Sequence, residues 1–269
     1  MFEALQFEFM QNALLAGVLV SIVCGMIGAL VVVNNMVLIS GGIAHSAYGG
    51  IGIAIYFGFS ILLGAFLFSL AVAILIAFLT LKNRERNDTF IAVFWALGMA
   101  IGIILIDLST TYNIDFMSYL FGSILTVSTF DIYMMIFLDI SIFIIIMIFY
   151  REFLAISYDI NFASLRGVPV KFLHVLLLIM IASSIVMTIQ IVGLILVIAL
   201  LTIPVYIAEM FSKSLAKIMF IASILGFIFT LMGLYISYNF NISSGASIIS
   251  IASSFFFLSF GVKKLFFKY

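Results

Sequence analysis

The sequence predicts an all-α integral membrane protein of about nine transmembrane helices, eight if one pair fuses, with its N-terminus outside and its C-terminus in the cytoplasm. Three observations predict this. The stretch from Phe9 to Thr80 holds no Asp, Glu, Lys or Arg, and similar charge-free runs follow Lys171 and Lys217. Hydrophobic residues make up 66% of the chain and charged ones 8%, with a mean hydropathy of +1.42. The apolar runs are also continuous, whereas barrel strands alternate apolar and polar residues, so helices are favoured over a β-barrel. A helix needs about 20 apolar residues to cross the hydrocarbon core. The 269 residues therefore form one polytopic membrane domain, 1–269, with no room for a soluble catalytic domain.

The placement of positive charge sets the order of the spans. All eleven Lys and Arg residues fall in four breaks: Lys82, Arg84 and Arg86; Arg151, Arg166 and Lys171; Lys213 and Lys217; and Lys263, Lys264 and Lys268. The positive-inside rule puts all four in the cytoplasm, which requires an even number of crossings between neighbours. Three spans precede Lys82, with breaks near Asn34-Asn35 and Phe59-Ser60. Asp88 to Ser109 and Phe130 to Tyr150 form the next pair, then Phe172 to about Gln190 and Val192 to Ala208, then Ile218 to Tyr238 and Ser244 to Val262. The pair around Gln190 reads either as two short spans with a tight outer turn or as one long, broken helix. Glu3 and Glu8, with no Lys or Arg before Gln11, oppose a cleaved signal peptide, so the first helix is expected to stay in the protein.

Two segments depart from plain spans. Asp115 to Val127 is apolar but too short to cross, and reads as a half-helix or re-entrant segment. Ser40 to Gly52 contains Gly41, Gly42, Gly49, Gly50 and Gly52. Each glycine weakens a helix by about 1 kcal/mol relative to Ala, so this span is either broken or very closely packed. In the first span Gly17, Ser21, Gly25 and Gly28 share one small-residue face, which suits close helix packing.

The residues that could carry chemistry are few. Gly41, His45 and Gly49 are spaced by four, so the imidazole leaves a face cleared of neighbouring side chains. That slot admits either another helix or a cation such as zinc, manganese or iron, for which imidazole is a suitable ligand. Asp139 lies mid-span, where an ionisable group is costly and a functional candidate, unless it is protonated or bonded to a neighbour. Asp107, Glu209 and His174 sit near span ends, within reach of water. Cys24 is the single cysteine, net charge is zero, and no P-loop sequence occurs, so the chain offers no basic footprint for nucleic acid and no ATP site of its own. The inside loop 151–171 contains an amphipathic stretch from Tyr158 through Arg166, then Gly167 as a helix stop and Pro169, and reads as one short helix forming a docking surface or a connector.

Several ordered segments resemble the membrane permease subunit of ABC importers for zinc, manganese or iron. They are Ala4 to Gln11 with the following Ala-Leu-Leu-Ala-Gly run, His45, Asp115 to Leu125, Phe149 to Glu152, Gly167 to Val170, and Gln190 to Gly193 leading to Pro204. The resemblance covers nearly the whole chain. It implies a bacterial or archaeal cell-membrane protein that pairs with a second permease copy, identical or closely related, and docks two cytoplasmic ATPase subunits. An extracytoplasmic metal-binding protein delivers the divalent metal, which is substrate rather than a resident cofactor. No covalent chemistry is expected of this chain. The resemblance implies His45 as a transient cation contact and Asp115 as a contributor near the outer mouth, with ATPase docking through Asp159, Asn161, Ala163, Arg166, Gly167 and Pro169. The chain departs from the family pattern where an Asp-Ala-x-Ser-His run is usual: Gly41 stands at the Asp position and Ala44 at the Ser position. Asn34 and Asn35 replace the usual basic pair, and Asn161-Phe162-Ala163 stands where a Glu-Ala-Ala docking motif is usual. The rival reading is a self-contained, ion-coupled secondary transporter in which Asp139 is the coupling carboxylate.

Overall fold

The computed structural model of the chain describes residues 6–82, 87–109, 122, 124 and 127–266. These residues form eleven helices and no strand: α1 Glu8–Val33, α2 Val37–Phe57, α3 Ile61–Lys82, α4 Asn87–Leu108, α5 Thr129–Ile148, α6 Tyr150–Tyr158, α7 Ile160–Leu165, α8 Val170–Val192, α9 Leu194–Phe211, α10 Leu215–Phe240 and α11 Ser244–Phe266. Among the described residues nine helices, all but α6 and α7, are long and apolar enough to cross a membrane.

The ends of the spans follow from local chemistry. Gly58, at φ 74°, closes α2 in the left-handed region and returns its N–H to the Ala54 carbonyl. Asn241, at φ 51°, closes α10 the same way, through Ser237. At the start of α5, Ser128 Oγ accepts from the Asp131 N–H at 3.2 Å while the Asp131 carboxylate accepts from the Ser128 N–H at 3.1 Å, a reciprocal capping box. The pair around Gln190 resolves into two helices. Gly193 separates them at φ 83°, ψ 161°, a conformation open essentially to glycine alone.

The chain divides into two compact units. One comprises Met1–Val32, Met117–Ile144 and Ile191–Tyr269; the other comprises Val33–Phe116 and Ile145–Gln190. In the first unit α1 lies against α10. A Cβ on Gly17 would come 2.7 Å from Thr230, one on Gly226 would come 3.3 Å from Ser21, and one on Gly25 would strike the backbone of Ser223. The partner numbers fall as the α1 numbers rise, so the two helices are antiparallel. That direction requires an odd number of reversals between them. It agrees with two spans around Gln190 rather than one.

In the second unit α2 is unbroken, which selects the closely packed alternative for its glycines. Gly42 lies against Ile91, Gly49 against Phe68 and Gly98, and Gly52 against the backbone of Gly102, so α2 and α4 run parallel. Gly50 and Gly64 face each other backbone to backbone and join α2 to the returning α3. Five glycines cost α2 about 5 kcal/mol of helix propensity. The offset is close backbone approach where Gly50 meets Gly64 and Gly52 meets Gly102, which adds dispersion along the contact.

The segment between α5 and α8 corrects one expectation. The expected short helix before Gly167 is α7, but a further one, α6, precedes it, because Asp159 ends α6 and starts α7. Its backbone is extended at φ −155°, and its Oδ1 accepts from the Asn161 and Phe162 N–H groups at 2.8 and 3.1 Å.

Candidate functional site

His45 projects from the middle of α2 on the face that meets α4. The Trp95 ring lies flat on the imidazole, with centroids 4.0 Å apart and planes 11° from parallel. On the same helix Gly49 is covered by Phe68 and Gly98 and Gly42 by Ile91, while His45 itself is only half-buried. Yet His45 Nδ1 is buried and has no hydrogen-bond partner among the described residues. A neutral imidazole with an uncommitted nitrogen can receive a transition metal without placing a fixed negative charge in the membrane.

Among the described residues no further ligand joins His45 to complete a metal centre. Among the described residues no cluster of three His, Cys, Asp or Glu side chains occurs. Gly41 is buried in α2 and offers no side-chain ligand. Asp115 falls outside the described residues.

Asp139 belongs to the first unit, His45 to the second. Asp139 occupies the buried face of α5 with Ile132, Met135 and Ile142, and is 6% exposed. Neither carboxylate oxygen has a hydrogen-bond partner among the described residues. His174 is half-buried, and its Nε2 lies 2.9 Å from the hydroxyl of buried Thr80, joining α8 to the end of α3.

The residues of the 151–171 segment divide by exposure. Asn161, Arg166, Gly167 and Pro169 are exposed, Asp159 is exposed but engaged as the α7 cap, and Ala163 is fully buried. Arg166 lies over the Phe162 ring, 5.1 Å from its centroid. Gly167, at φ 80°, has open space where a Cβ would be, so backbone conformation rather than crowding calls for glycine there. The amphipathic stretch turns apolar residues outward as well. Tyr158, Phe162 and Leu165 are 79%, 53% and 87% exposed. Asn34 Nδ2 donates to Ser157 Oγ at 3.0 Å, so the turn before α2 is tied directly to α6.

Sequence reasoning missed Trp95. Its signal was present: the single tryptophan of the chain shares a helix face with Gly98 and Gly102, three and seven residues on. Those two glycines meet Ser46, Tyr48 and Gly49 of α2.

Four matches fit this architecture. The ABC 3 transport family profile matches residues 6–263. An uncharacterized membrane protein of Synechocystis is 51% identical over 264 residues, covering 98% of this chain and 94% of that one. The manganese transport system membrane protein MntC of Listeria monocytogenes is 36% identical over 256 residues, covering 95% of this chain and 91% of that one. Among solved structures, PsaBC from Streptococcus pneumoniae in complex with Fab superposes with a TM-score of 0.86 at 34% identity, over 96% of this chain and 94% of that one.

Proposed function

From the premise that the chain belongs to the ABC 3 transport family, we propose that it is the membrane permease of an ATP-driven importer for a divalent transition metal. Manganese is the substrate that its relatives' names favour. The protein is a multi-pass cell-membrane protein. Its N-terminus faces outward and its C-terminus the cytoplasm, on the strength of the four basic clusters. ATP hydrolysis belongs to separate cytoplasmic subunits, a second permease copy completes the membrane part, and an extracytoplasmic binding protein supplies the metal.

The observation that carries this reading is the match over residues 6–263, to which the site adds a mechanism. His45 receives the cation transiently through a ring nitrogen that no group among the described residues claims. With one histidine and no acid at Gly41, the contact from this chain is weak, which suits an ion that must leave as well as arrive. On the cytoplasmic side, Tyr158, Phe162 and Leu165 present apolar area for an ATPase subunit, ringed by Asn161, Arg166, Gly167 and Pro169. The Asn34–Ser157 bond supplies a mechanical route from that surface to the helix bearing His45.

The test is reconstitution. The purified chain alone should hydrolyse no ATP, and with its ATPase partner and binding protein it should take up manganese only with ATP. Leu165→Asp and Gly167→Arg should each abolish copurification with the ATPase while the permease remains in the membrane. Uptake by the lone chain, driven by a proton or sodium gradient, would overturn the reading in favour of the secondary transporter.

A further inference from the structure

We propose that Trp95 is a positioning residue for the transported cation: its indole holds the His45 imidazole in one plane, so that the cation meets the ring along its edge. The proposal rests on the reading that His45 contacts the metal, and goes beyond it by naming what orients that contact.

The argument starts from the freedom of His45. On a helix face flanked by Gly41, Gly42 and Gly49, an imidazole has few side chains from its own helix to restrain it. No hydrogen bond holds its Nδ1 among the described residues. Metal-binding histidines are ordinarily oriented by a partner on their second nitrogen, usually a carboxylate or carbonyl. Here that means of orientation is absent at Nδ1, and the stacked indole at 4.0 Å and 11° takes its place. A flat stack leaves the ring edge free, and the nitrogen lone pairs lie in that plane. It also covers one ring face with apolar surface, which excludes water from that side.

Trp95 is itself fixed by backbone packing. It lies on the α4 face that continues through Gly98 and Gly102, both of which would strike α2 if given a Cβ. The indole therefore moves with the α2–α4 seam. A change in that seam would turn the imidazole with it.

Because the chain has a single tryptophan, its indole emission reports this stack alone. The full-length permease in lipid nanodiscs, titrated with manganese(II) and cobalt(II) chloride, should show saturable quenching that His45→Ala removes. In the reconstituted importer, Trp95→Leu should raise KM for manganese about tenfold with the maximal rate within about twofold, whereas Trp95→Phe, which keeps a flat face, should stay within about threefold of wild type in KM. Trp95→Met fills similar space without a ring, and should follow Leu rather than Phe if the flat face matters. Quenching unchanged by His45→Ala would overturn the underlying reading of the histidine. Quenching lost in His45→Ala, with wild-type KM in both the Leu and Met variants, would overturn the role of Trp95 alone.

Discussion

Two seams of small residues hold this molecule, and they end in different chemistry. Along α1, Gly17, Ser21 and Gly25 meet Thr230, Gly226 and Ser223 of α10, and the hydroxyls on both sides are satisfied within their own helices. Ser21 Oγ donates to the Gly17 carbonyl at 2.6 Å, and Thr230 Oγ1 to the Gly226 carbonyl at 2.9 Å. Along α2 the glycines bring α3 and α4 equally close, but the seam also contains a stacked imidazole whose Nδ1 is left over. Close packing is common to both. Among the described residues only the α2 seam keeps polar capacity in reserve, which makes it the candidate site.

If the two seams are alike as packing, filling either should have the largest effect of any change considered. Gly25→Leu and Gly50→Leu each drive a side chain into a facing backbone, at a cost at or above the usual 1–3 kcal/mol of overpacking, about 3 kcal/mol or more. Both should abolish the monodisperse protein peak in size-exclusion chromatography; a well-folded Gly50→Leu would break the equivalence. His45→Ala comes next and should split function from fold, lowering manganese uptake at limiting metal about tenfold or more with ATPase copurification unchanged. Wild-type uptake in that variant would return the α2 seam to plain packing. Asp139→Asn should leave uptake within about twofold, since the residue lies outside both seams; a loss comparable to His45→Ala would locate a second functional group on α5. Ser21→Ala should be the mildest, shifting thermal stability by less than about 0.5 kcal/mol, because its hydroxyl serves only its own helix.

The spans were legible because lipid imposes a requirement that composition states directly: charge marks where the chain leaves the hydrocarbon. Glycine density in α2 announced close approach, yet could not by itself separate packing from breakage, since both exploit a missing side chain. The facing partners, Gly64 and Gly102, decide it, and they come from other helices. The pairing of His45 with Trp95 was hidden for the same reason: 50 positions separate them (95 − 45), and only the parallel alignment of α2 and α4 joins them. The 151–171 segment was half legible. Gly167 and Pro169 signalled its end, whereas the division at Asp159 depended on a cap that competes with continuation of the same helix.

The antiparallel contact of α1 with α10 also has a consequence in time. Gly25 leaves the ribosome long before Ser223 exists. At about 5–20 residues per second, the intervening chain takes on the order of 10–40 s to make. For that interval α1 presents its small-residue face without the helix that will cover it. Biogenesis of this permease therefore closes like a ring: the earliest span waits for one of the last, and truncation before Ser223 should leave α1 inserted but open to quality-control proteolysis.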